Sequence, residues 1–114
     1  MGKEKLKIGC CGFSTARSRY FKTFSVVEIQ ETFYEPPKVE TAEKWRNEAP
    51  EGFEFTLKAW QLITHLPSSP TYKRLKRELS DKEKKNYGFF KPTDEVFKAW
   101  EETKKVAEIL KSRI

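Results

Sequence analysis

Two segments of the chain alternate apolar and polar residues with the period of a strand. In Ser25-Val26-Val27-Glu28-Ile29-Gln30-Glu31-Thr32-Phe33-Tyr34, Val27, Ile29 and Phe33 share one face, and Val26, Glu28, Gln30 and Thr32 share the other. In Phe53-Glu54-Phe55-Thr56-Leu57-Lys58-Ala59-Trp60, Phe53, Phe55 and Leu57 oppose Glu54, Thr56, Lys58 and Trp60. Both segments are rich in β-branched and aromatic residues, which suit a pleated, half-buried surface. Each carries a charge mid-strand, Glu28 in the first and Lys58 in the second. A sheet that hosts chemistry places a carboxylate and an ammonium in this way.

The remaining pattern sets these strands in an alternating order. Leu6-Lys7-Ile8-Gly9-Cys10-Cys11-Gly12-Phe13 reads as an earlier strand running into a glycine-punctuated turn. Residues 14–24 are basic and aromatic, and too short for a full amphipathic helix with its loops. Pro36-Pro37 stops the second strand because proline lacks the ladder donor. Residues 39–49 read as a helix with Thr41 as cap and Trp45 as a buried anchor, ended by Pro50 and Gly52. Residues 61–92 form a long irregular stretch, which is either functional or carries short helices of its own. Thr93 then caps the clearest helix, in which Asp94 and Glu95 suit the positive end of the dipole. Val96, Phe97, Trp100, Ala107 and Leu110 recur there at helical spacing, and Trp45, Phe97 and Trp100 are assigned to the core. The order β, β, α, β, long loop, α implies a parallel sheet with right-handed crossovers. No internal repeat or domain boundary is visible, so residues 1–114 are expected to form one domain.

Composition narrows the partners. The chain has 114 residues, 35% charged and 14% aromatic, with a net charge of +6. Between Lys73 and Lys85, seven cations against three carboxylates give +4 of that excess. A basic balance favours a phosphate-bearing ligand or nucleic acid, and serves solubility equally well. Few Asn and Gln beside abundant Lys and Glu suit a thermophile. Cys10 and Cys11 are adjacent and point to opposite faces of a strand, so they form no unstrained bridge, and a reducing cytoplasm is expected. Met1-Gly2-Lys3-Glu4-Lys5 does not read as a leader, and no apolar run nears the roughly 20 residues of a spanning helix.

Four motifs, in order and over residues 8–65, resemble the YecE-like family, the domain of unknown function 72. They are Ile8-Gly9-Cys10-Cys11-Gly12-Phe13; Val27-Glu28-Ile29-Gln30-Glu31-Thr32-Phe33-Tyr34, which is similar to that family's Val-Glu-Ile-Asn-x-Thr-Phe-Tyr; Pro50-Glu51-Gly52-Phe53-Glu54-Phe55 with Leu57-Lys58-Ala59; and Ile63-Thr64-His65. The resemblance implies a (β/α)8 barrel, which takes roughly 250 residues. The chain is therefore expected to be an α/β, TIM-barrel-like unit of about three parallel strands, equivalent to the N-terminal half of the barrel. An open sheet of that kind leaves an exposed edge and an uncovered interior face. Self-association, or a second chain completing the sheet, is expected. Gln30 stands where the family usually has Asn, and the segment before the second strand is shorter than a usual first barrel helix.

Barrel enzymes keep their chemistry at the C-terminal ends of strands. Glu28 and Lys58 are read as catalytic there, against the alternative of an ion pair between neighbouring strands. Glu28 could be a general base or metal ligand; Lys58 could bind phosphate or act as an amine nucleophile. His65, the only histidine, falls just beyond the third strand and suits acid–base work. Gln30, Thr32, Tyr34, Arg17 and Trp60 are read as substrate-binding. Gly9 and Gly12 make a tight turn, with a phosphate-admitting rim as the alternative. Arg17, Arg19 and Lys22, interleaved with Tyr20 and Phe21, could contact nucleic acid or form a solvated loop. No metal and no cofactor is assigned. The functional expectation is a barrel hydrolase acting on a phosphate-bearing or nucleic-acid substrate; the alternative is a non-catalytic anion- or nucleic-acid-binding module.

Overall fold

The computed structural model describes residues 6–112 and 114. The Met1–Lys5 lead-in and Arg113 lie outside these residues. Three parallel strands, β1 (Gly9–Cys11), β2 (Val26–Ile29) and β3 (Glu54–Leu57), form one sheet in the order β1-β2-β3. Register pairs Cys10 with Val27 and Val27 with Phe55, and it pairs Cys11 with Glu28 and Glu28 with Thr56. One face thus carries Val27, Ile29, Phe55 and Leu57, all buried, while Val26, Glu28, Glu54 and Thr56 on the other stay half-exposed. That is the face a closed barrel turns inward. β1 approaches β2 so closely that a Cβ on Gly9 would lie 1.9 Å from Val26 O, which only glycine permits.

The buried face is covered by α1 (Arg17–Thr23), α3 (Val39–Glu48) and α6 (Asp94–Leu110). Shorter turns lie between them: α2 (Glu31–Tyr34), α4 (Gln61–Thr64), a 3-10 turn at Pro70–Arg74, and α5 (Asp81–Lys84). The stretch 61–92 therefore does carry short helices of its own. Arg46 joins α3 to both neighbours. Its guanidinium donates to Phe53 O at 3.1 Å, Leu110 O at 3.3 Å and Pro50 O at 3.2 Å, and lies over the Phe55 ring. A cation on the carbonyls at the end of α6 suits the negative pole of that helix.

Four expectations need correction. Residues 14–24 do hold a helix, α1, because packing substitutes for length. Tyr20 is wholly buried within an aromatic cluster of Phe13, Phe24 and Phe53. The second strand ends at Ile29, and Thr32, Phe33 and Tyr34 belong to α2, so period-two alternation fails beyond Gln30. Thr41 is not a cap: α3 starts at Val39, with Lys38 after Pro36-Pro37 at the N-cap position and no side-chain cap. Phe97 and Trp100 are not core, being 58% and 38% exposed. Val96, Ala99, Thr103, Val106 and Leu110 form the buried stripe of α6 instead. The Thr93 cap is present, its Oγ1 accepting from Val96 N at 3.2 Å.

Tyr20 also links strands through its hydroxyl, which accepts from Cys10 N at 2.7 Å and donates to Val26 O at 2.8 Å. Tyr20→Phe keeps the ring and orphans both backbone groups. A loss of about 1–3 kcal/mol is expected, measured as a lower urea midpoint; an unchanged midpoint would show that the hydroxyl carries no weight.

Candidate functional site

The sheet's C-terminal ends meet α2, α4 and the turn at residues 88–90. Thr32 Oγ1 donates to Lys58 O at 2.7 Å, with Ile29 O at 3.1 Å, and so ties the end of β2 to the residue just past β3. Lys58 N in turn donates to Ile29 O at 3.1 Å. These bonds fix the Lys58 backbone while its side chain stays exposed. Its ammonium lies 4.9 Å from the centre of the Phe33 ring and makes no ion pair among the described residues. The His65 ring meets the same Phe33 ring edge-to-face, also at 4.9 Å, and its Nδ1 lies 2.6 Å from Thr64 Oγ1.

His65 is positioned from both sides. Tyr72 donates its hydroxyl to His65 O at 2.7 Å. The amides of Gly88, Phe89 and Phe90 donate to Leu62 O, Thr64 O and Ile63 O, satisfying the carbonyls that a four-residue helix leaves open. This closure holds Phe89 and Phe90 in the left-handed region, at φ 50° and 53°, a conformation that costs roughly 1–2 kcal/mol per residue. Gly88, at φ 86°, is mandatory in addition because a Cβ there would meet His65 O at 2.2 Å. The turn presents Phe90 at 71% exposure beside His65 and Lys58, on a groove of about 700 Å³. Neither Gly88 nor the two phenylalanines was singled out from the sequence as part of a site. A glycine followed by two aromatic residues was the only signal available.

The other expected site residues separate into two groups. Glu28 lies on the half-exposed sheet face, where Cys11 Sγ donates to its Oε1 at 3.9 Å and Gln30 Nε2 donates to the same atom at 3.3 Å. It does not line the groove that Lys58 and His65 share. Tyr34, Trp60 and Arg17 are engaged structurally. Trp60 is wholly buried, donates from Nε1 to Tyr34 O at 3.0 Å and carries the Arg77 guanidinium over its ring. Tyr34 carries Arg74 over its own ring at 3.9 Å. Arg17 pairs with Glu48 at 3.2 Å. Arg77 also bridges Glu35 and Glu102, so part of the basic stretch is tied to the body of the protein. No group of three or more His, Cys, Asp or Glu that could hold a metal is found among the described residues, and no helix among them is long and apolar enough to cross a membrane.

Parallel strands in sequential order, with helices on one face and a polar inward face, define a partial TIM-barrel-like unit. Residues 8–112 match the family described as "Protein of unknown function DUF72". The chain belongs to that family. Among solved structures, it is similar to a DUF72 family protein from Enterococcus faecalis V583, with a TM-score of 0.58 and 22% identity. That likeness covers 93% of this chain and 36% of the Enterococcus chain, so the present chain spans about a third of that relative. No significant match is found among curated proteins.

Burial pushes the Tyr72 phenol up to about 12 from its ordinary 10.0, with the nearby Tyr87 adding to it; Tyr20 and Tyr87 are also raised, chiefly by burial. Well below pH 10 these phenols are neutral in folded and unfolded chains alike, so they add no slope there. Between 10 and about 12 the unfolded chain gives up protons that the folded chain keeps, and stability falls as pH rises. Tyr72→Phe is expected to flatten that alkaline fall in a series of urea midpoints. A slope equal to that of the parent chain would refute the role given to Tyr72.

Proposed function

We propose that the chain supplies the anion-binding part of the rim of a barrel hydrolase acting on a phosphate-bearing substrate. One observation carries this reading: Lys58 and His65 converge on the Phe33 ring and open into one groove, which no Asp or Glu lines among the described residues. A lysine so placed attracts an anion, and the aromatic and apolar walls around it lower the local polarity that would otherwise screen the attraction. His65, with Nδ1 engaged by Thr64, offers its other ring nitrogen to a phosphate oxygen or a leaving group. Phe90 and Phe33 supply a flat apolar surface for the body of such a substrate.

In this reading Glu28 is a separate element of the inward face. Cys11 and Gln30 both donate to one of its oxygens, which orients the carboxylate toward the interior that further strands would enclose. It is the natural general base of the completed barrel, and Lys58 and His65 hold the substrate at its rim. Tying Arg17, Arg74 and Arg77 into ion pairs and ring contacts favours a small phosphorylated ligand over an extended nucleic acid.

Titration of the chain with inorganic phosphate tests the anion site. The His65 ring resonances are expected to shift. Lys58→Met keeps the stem on Phe33, removes the charge and should weaken binding about tenfold, the loss of roughly 1.4 kcal/mol expected of one charge-assisted contact. Equal affinity in parent and variant would remove Lys58 from the site.

A further inference from the structure

Thr64 closes α4 and directly precedes His65, the only histidine of the chain. A threonine hydroxyl in a helix ordinarily donates back to the carbonyl three or four residues earlier. Here both of those acceptors are already engaged. Trp60 O accepts from Ile63 N at 2.9 Å. Gln61 O accepts from His65 N at 2.9 Å and from the Tyr72 hydroxyl at 3.4 Å. The Thr64 side chain turns instead to the imidazole, with Oγ1 2.6 Å from Nδ1, and makes no other hydrogen bond among the described residues. The surroundings hold this contact in place. Phe89 N donates to Thr64 O at 3.3 Å, Tyr72 donates to His65 O at 2.7 Å, and the Phe33 ring meets the imidazole edge-to-face.

Two arrangements of protons fit a neutral ring. Either the hydroxyl donates to a bare Nδ1, or a protonated Nδ1 donates to the hydroxyl oxygen. The second leaves the hydroxyl proton of a half-buried residue with no acceptor among the described residues, which is unfavourable. The first orphans nothing, because His65 is exposed and the proton on its other nitrogen is left to water. We propose that Thr64 is a positioning residue that fixes the tautomer of His65: its hydroxyl donates to Nδ1, and the neutral ring carries its proton on Nε2. The tautomer exists without a ligand, but its use rests on the anion site proposed above. In that site the ring is a hydrogen-bond donor alongside the Lys58 ammonium, in a groove that no Asp or Glu lines among the described residues. Two donors suit a phosphate, whereas a lone pair on Nε2 would oppose it. Such a ring still donates when imidazole is uncharged, and it cannot take up a proton through the same nitrogen. His65 therefore holds the substrate, and the work of a base stays with Glu28.

A single histidine makes the test unambiguous. A long-range proton–nitrogen correlation spectrum of the isotope-labelled full chain reads which ring nitrogen carries the proton, at about pH 8 where free imidazole is neutral. Before any phosphate is added, Nε2 is expected to be protonated and Nδ1 bare. Thr64→Val keeps the side-chain shape, removes the hydroxyl and should bring the two nitrogens toward equal protonation. Thr64→Ser should restore the parent pattern. Inorganic phosphate should bind Thr64→Val about twofold more weakly than the parent, since about half of the variant's rings then present a lone pair. A proton on Nδ1 in the parent chain, or the same tautomer in parent and Thr64→Val, overturns the role of Thr64. Equal phosphate affinity in parent and Thr64→Val overturns the use of the tautomer as a donor. The stated tautomer with no response to phosphate upholds the role of Thr64 and overturns the anion site instead.

Discussion

A parallel sheet has to be covered on both faces, because its strands are joined by helices and its backbone ladder tolerates little water. Three strands meet that requirement on one side only. α1, α3 and α6 bury Val27, Ile29, Phe55 and Leu57, with Arg46 binding the end of α6 to the start of β3. The opposite face and the outer edge of β3 stay open. The half-exposed Glu28 and Thr56, the outward stripe of α6 and the groove beside Lys58 all follow from this one incomplete enclosure.

The same constraint explains why the rim is well built although the barrel is partial. Thr32, Tyr72 and the 88–90 turn spend their hydrogen bonds on carbonyls at the ends of β2, β3 and α4. Two phenylalanines are held in a left-handed conformation to do so. Strain of that kind persists only where surrounding contacts over-determine it. Here it places Phe90 beside Lys58 and His65. Membership in DUF72 and the likeness to the Enterococcus protein establish the fold; they say nothing about the substrate, which rests on the rim itself.

Much of the fold could be read from alternation, and its failures have physical causes. The faces of Val27, Ile29, Phe55 and Leu57 were correct because both strands lie under helices. The same alternation misplaced Thr32 and Trp60, because the chain leaves the sheet at Gln30 and Lys58 and turns helical, so both side chains end up buried. Helical spacing found α6 and its cap but merged two stripes, since Phe97 and Trp100 differ from core residues only in what lies opposite them. α1 was missed because Tyr20 stabilises it through contacts remote in sequence. Lys58 and His65 were legible as candidates; their meeting on Phe33 was not, because it depends on α2. Glu28 was grouped with them by strand position, and only the structure separates its surroundings from theirs.

The central claim is that the outer edge of β3 has no strand partner among the described residues and leaves its alternate amides open. Residue-resolved hydrogen exchange of the β3 amides tests it most directly. The account predicts slow exchange at Glu54 and Lys58, whose amides bond to the β2 side, and fast exchange at Phe55 and Leu57, whose amides point away from β2. Equal protection at all four positions in the isolated chain would contradict it.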